Sequence, residues 1–148
     1  MFIERPPENI KKKVVNKKIT LRIPEKLWSS IQNKAKKEYT GKGKQSQLVN
    51  DALRHFLKNS AIDDIDWDNP ADNYILINLL TQIKLGSKMK DAGPNPVQIN
   101  IDLHVYESLL DLELKIKNTR KLMDTHIKPS IIRICLSQWM YADRSVLS

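Results

Sequence analysis

The chain has 148 residues, 41% of them apolar, with 25 Lys and Arg against 17 Asp and Glu, a net charge of +8. That balance suits one domain or two small ones and points to a polyanionic partner, nucleic acid before membrane. A single cysteine, Cys135, excludes an internal disulfide and a cysteine metal cluster. The start lacks the pattern of a signal peptide, and no apolar run approaches the roughly 18 residues of a membrane span, so the expected compartment is a reducing cytoplasm.

The charge is uneven along the chain. Residues 1–60 carry 15 Lys and Arg against 5 Asp and Glu, residues 61–96 carry 3 against 6, and residues 97–148 carry 7 against 6. Residues 1–17, with Pro6 and Pro7 followed by Lys11, Lys12, Lys13 and Lys17, read as a flexible basic arm suited to phosphates or a minor groove. A solvated tail is the alternative.

From Lys18 to Pro24 apolar and polar residues alternate, which predicts a strand. Ile19, Leu21 and Ile23 face a core; Lys18, Thr20 and Arg22 face out. Pro24 ends the ladder, and Leu27, Trp28, Ile31 and Ala35 then recur at helical spacing. Arg and Lys suit guanine edges, and Thr suits several bases or a thymine methyl.

Gly41 and Gly43 break the first helix, and Ser46 reads as the N-cap of a second. Leu48, Val49, Ala52, Leu53, Phe56 and Leu57 form its apolar stripe. A helix N-terminus beside Lys42 and Lys44 is a natural phosphate site, because unpaired amides and the macrodipole both favour an anion.

Residues 59–96 read as an acidic connector. Asp63, Asp64, Asp66, Asp68 and Asp72 surround Trp67 and Pro70, and a short apolar helix follows from Tyr74 to about Ile83, ended by Gly86. A second alternating run, Val97 to Leu103, turns Val97, Ile99, Ile101 and Leu103 inward and Gln98, Asn100 and Asp102 outward. Gln and Asn suit adenine, and a carboxylate accepts from cytosine.

The last third repeats the first. Leu27, Trp28 and Ile31 recur seventy-eight positions later as Val105, Tyr106 and Leu109. The second stripe recurs after eighty-three positions as Ile131, Ile132, Cys135, Leu136, Trp139 and Met140, which makes Cys135 a core residue. Pro129 takes the place of Ser46, with Lys128 and Ser130 beside it. The three histidines, His55, His104 and His126, match no metal spacing, and the chain carries no Gly-rich phosphate loop, so neither catalysis nor a cofactor is expected.

Strand, helix, turn and helix, with polar residues alternating outward on the strand, resemble the ribbon–helix–helix family. Residues 18–57 carry the first copy, and residues 97–140 a second, weaker one. A tandem copy in one chain resembles the TraY-type accessory proteins of conjugative relaxosomes.

The resemblance implies an α+β, mostly helical domain with a two-stranded antiparallel ribbon, four helices and a connector helix. Its units are residues 18–58 and 97–142, with a tail at 143–148. It further implies a monomeric pseudo-dimer that inserts its ribbon into the major groove of double-stranded DNA, with cooperative assembly on DNA. Lys18, Thr20, Arg22, Gln98, Asn100 and Asp102 would then read bases; Ser46, Gln47 and Ser130, with Lys42, Lys44 and Lys128, would hold phosphates. The role implied is that of an accessory to a relaxase at a transfer origin. A transcriptional repressor of plasmid or phage genes, or an antitoxin-like module using the acidic connector, are the alternatives.

Overall fold

The computed structural model describes residues 16–58, 60–68, 74–89, 96–119 and 127–141. The two alternating runs become strands β1 (Asn16–Arg22) and β2 (Pro96–Asp102). They pair antiparallel as a two-stranded sheet, with Lys18 opposite Asn100, Ile19 opposite Ile99, Thr20 opposite Gln98 and Arg22 opposite Pro96. The alternation sorts the faces. Leu21, Ile99 and Ile101 are buried, with Ile19 and Val97 packed against them, while Lys18, Thr20, Arg22, Gln98 and Asn100 are exposed.

The rest is helical: α1 (Glu25–Glu38), α2 (Lys44–Leu57), a single turn α3 (Ser60–Asp63), α4 (Tyr74–Lys88), α5 (Leu103–Thr119) and α6 (Ile127–Tyr141). The fold is therefore α+β and mostly helical. α1 starts where Pro24, extended at φ −51°, stops the strand and accepts the first helical bond from Trp28 N–H at 2.9 Å. Leu27, Ile31 and Ala35 bury one stripe of it. Leu48, Val49, Ala52, Leu53 and Phe56 of α2 are buried, as are Ile131, Ile132, Cys135 and Leu136 of α6. Cys135 donates its thiol to Ala52 O at 3.1 Å, so the two small residues that match in the repeat meet each other in the core. One buried cluster draws on both halves of the chain and on the connector helix.

Several boundaries move from the expected ones. β1 begins at Asn16, so Lys17 belongs to the strand rather than to an arm. β2 ends at Asp102 and passes directly into α5, without the two-residue spacer, Ile23 and Pro24, that separates β1 from α1. α6 starts at Ile127, and Asn118 still lies within α5, so the break between these helices is shorter than the sequence implies.

Gly86 does not end α4. The helix continues to Lys88, and Gly86 sits where α4 crosses α6, at a spacing that excludes any side chain: a Cβ there would lie 2.2 Å from Ser130 O. The absence of that carbon lets Leu76, Leu79, Leu80 and Ile83 close over the core.

Candidate nucleic-acid interface

The exposed ribbon face carries Lys18, Thr20 and Arg22 on one strand and Gln98 and Asn100 on the other. Each strand is held from its outer edge by a helix of the opposite half. Asn50 of α2 donates to Asn100 O at 2.9 Å and accepts from Asp102 N–H at 2.8 Å. Ser46 Oγ accepts from Asn100 N–H at 3.1 Å. On the other side Arg133 of α6 donates through Nε to Arg22 O at 2.6 Å and through Nη1 to Gly86 O at 3.1 Å. These anchors follow the sequence repeat. Arg22 and Asn100 are seventy-eight positions apart, as the first helices are; Asn50 and Arg133 are eighty-three apart, as the second helices are. Asn100 is therefore the second copy's match to Arg22.

Both anchors are buried, Asn50 at 4% and Arg133 at 4% exposure. Sequence reasoning missed them. The available signal was a polar residue at the same step inside both apolar stripes, and its chemistry follows from burial, since an edge strand's carbonyls and amides need partners once a helix covers them.

Asp102 is half-buried and bound by Arg54, which also holds Asp51 at 3.0 Å. Asp51 in turn accepts from the Tyr39 hydroxyl. Burial first, and then the hydrogen bond and charge of Asp51, push the Tyr39 hydroxyl up to about 12. Asp102, expected to read a base, thus closes a chain of polar contacts beside the ribbon, with its carboxylate paired to Arg54.

The start of α2 differs from the expectation in detail. Gly43, left-handed at φ 70°, occupies the N-cap position, and Ser46 lies inside the first turn with its hydroxyl on the ribbon. Gln47 Nε2 donates to Thr40 O at 3.3 Å and Lys42 O at 3.1 Å, bracing the turn. Ser46 and Gln47 therefore shape this corner. The first-turn amides, with exposed Lys42 and half-buried Lys44 beside them, form its electropositive surface.

The matching corner at α6 is closed. Ser130 is buried at 1% exposure beneath Gly86, and Lys128 Nζ lies 2.5 Å from Glu113 Oε1, a carboxylate buried at the residue level to 6% exposure. Both were expected to hold phosphates; Ser130 lies buried against the connector helix, and half-buried Lys128 is paired with Glu113. Lys17 faces away from the polar ribbon surface, with its Nζ 6.0 Å from the centre of the Tyr106 ring. Lys11, Lys12 and Lys13, and also His126, lie outside the described residues. His104 belongs to the first turn of α5 and is 97% exposed, with Nδ1 3.9 Å from Glu107. His55 packs its ring 5.4 Å from Trp139.

Fold and site together define an α+β chain that presents a polar two-stranded ribbon on a helical bed, beside the electropositive N-terminus of α2. Among the described residues no helix is long and apolar enough to cross a membrane. Comparison with family models, with curated proteins and with solved structures returned no match.

Proposed function

We propose that the chain is a tandem ribbon–helix–helix protein that binds double-stranded DNA by laying β1 and β2 in the major groove. The observation that carries the proposal is the ribbon itself, whose outer face is polar and exposed and whose edges are anchored at repeat-equivalent positions by Asn50 and Arg133. A two-stranded ribbon matches the width of the major groove. Lys18 and Arg22 read guanine, Thr20 contacts a neighbouring base, and Gln98 and Asn100 read adenine. The first turn of α2, with Lys42 and Lys44, holds a phosphate.

The asymmetry supports a non-palindromic site. One strand brings cations and the other neutral amides, and among the described residues Lys42 and Lys44 flank the start of α2 whereas Lys128 of α6 is paired with Glu113. Such a site suits an accessory factor at a transfer origin, where a relaxase must be directed one way along the duplex.

The test starts with selection of bound sequences from random DNA. Arg22→Ala then costs about 1–3 kcal/mol on the selected site and much less on random duplex, because a lost base contact is sequence-dependent. Equal losses on both would move Arg22 to the phosphate backbone and overturn the groove-facing register.

A further inference from the structure

The two repeat-equivalent anchors differ in what stands behind them. Asn50 also donates to Ser46 O of its own helix at 2.8 Å, so that anchor ties β2 to α2. Arg133 instead makes its second bond outside its own helix, to Gly86 O. It therefore joins β1, α6 and α4. That second link depends on the glycine. Ser130 and Arg133 lie about one helical turn apart on α6. The missing side chain at Gly86 lets α4 close on Ser130 O, and it also brings the Gly86 carbonyl within 3.1 Å of Arg133 Nη1.

The strand end that Arg133 holds is one the ladder serves badly. Arg22 is the last residue of β1 and stands opposite Pro96. Proline has no N–H, so Arg22 O takes no ladder bond from that partner. The buried guanidinium supplies a donor to it at 2.6 Å. Its donors form a rigid planar fork, so the carbonyls of Arg22 and Gly86 are fixed relative to each other. The side chain of Arg22 is exposed on the polar ribbon face. A shift of its backbone moves the group that would meet guanine, and such a contact needs its geometry held to within about 0.5 Å.

We infer that Arg133 positions Arg22 for base reading, and that the connector helix α4 is the support it works from. The inference rests on the DNA-binding reading. Base preference at the Arg22 end of the ribbon then depends on α4, whereas preference at Asn100, which α2 holds, does not.

The test uses the full chain, with each variant shown by circular dichroism to be folded at the assay temperature. Arg22→Ala first marks, within a selected sequence, the base pair at which discrimination is lost. Arg133→Lys keeps the charge but replaces the fork by one ammonium group, which does not hold both carbonyls in the same geometry. It lowers discrimination at the marked pair at least about threefold, and by more than it lowers binding to random duplex. Added to Arg22→Ala it brings no further loss there, because the side chain it positions is gone. Gly86→Ala keeps Arg133 and withdraws its second acceptor, and it lowers discrimination at the same pair. Asn50→Ala controls for lost stability, since its loss falls at the pair read by Asn100. Without DNA, the amides of Leu21 and Ile23 exchange faster relative to that of Ile19 in both Arg133→Lys and Gly86→Ala. An Arg133→Lys chain that weakens all base positions equally, or whose loss adds in full to that of Arg22→Ala, overturns the positioning role while the DNA-binding reading stands. A Gly86→Ala chain with the parent's discrimination and exchange overturns the role of α4. A parent chain that selects no sequence overturns the DNA-binding reading, and the base-reading role of Arg133 with it.

Discussion

Gly86→Ala sets helix propensity against packing. In an exposed helix interior the change gains about 1 kcal/mol, because alanine restricts the unfolded chain and glycine does not. Here the new Cβ would lie 2.2 Å from Ser130 O and 3.0 Å from Ser130 C. Both are backbone atoms inside α6, so no side chain can swing aside, and α4 must move outward by about 1 Å to reach ordinary contact. Overpacking of this kind costs about 1–3 kcal/mol. The same movement draws Gly86 O away from the Arg133 guanidinium, a bond to a buried charge worth about 1.5–3 kcal/mol. Setting the gain against these losses leaves a net destabilisation of about 2–4 kcal/mol. Urea unfolding followed by far-ultraviolet circular dichroism measures it, with an unchanged slope showing that the unfolded state is the same. In a chain of this size the melting temperature falls by roughly 4–16 °C. A variant as stable as the parent, or more so, would refute the close approach of the two helices and the role assigned to Gly86.

Four further outcomes follow from the geometry. Asn50→Ala leaves a part-buried strand amide and carbonyl without their side-chain partner and costs about 1–3 kcal/mol in the same unfolding assay, more than an exposed change such as Gln98→Ala. Lys42→Ala with Lys44→Ala flattens the dependence of log affinity on log salt by about 1–2 units from a slope near −5, whereas Lys128→Ala leaves the slope unchanged and lowers stability, because it strips Glu113 of its nearest cation. Asp102→Asn changes stability by less than about 1 kcal/mol, since its pair with Arg54 is half exposed, and alters base preference at no position in a selected site. Stability falls as pH rises above about 9, first through Cys135, whose thiol burial holds well above its usual range, and then through Tyr39, pushed up to about 12. In both cases the unfolded chain loses its proton at a lower pH than the folded one, so stability is full below the unfolded value and declines above it. Cys135→Ala removes the first part of that decline and Tyr39→Phe the second.

The ribbon was legible because strand alternation is local. Leu21, Ile99 and Ile101 could be turned inward from their own neighbours, and Lys18, Thr20, Arg22, Gln98 and Asn100 outward with them. The helical stripes were legible for the same reason, down to the matched small residues Ala52 and Cys135. What failed was long-range. Ser130 looks like any first-turn serine until Gly86, far away in sequence, crosses above it. Lys128 looks like a free surface cation until Glu113 is seen beneath it. Asp102 reads as an outward strand residue, but β2 turns into α5 at that point and Arg54 reaches it. Ser46 was a reasonable cap by type, yet Gly43 could enter the helix one turn earlier because it adopts the left-handed conformation. The repeat itself hid the difference between its halves. Matched apolar positions imply matched corners, and only the connector helix reveals that one corner is covered.

The two strands are also far apart in time. Asn16 waits for Asp102 to leave the ribosome before it has a partner, and the segment closed by their pairing includes α1, α2 and the connector. Local helices form in microseconds, but a contact across so long a stretch must await the loss of loop entropy and so comes late. Because both strands belong to one chain, that step is first order and its rate does not depend on how many copies a cell holds. A nascent or truncated chain that stops short of β2 leaves β1 with no partner strand, so the face proposed to touch DNA is assembled only once the chain has been made past Asp102.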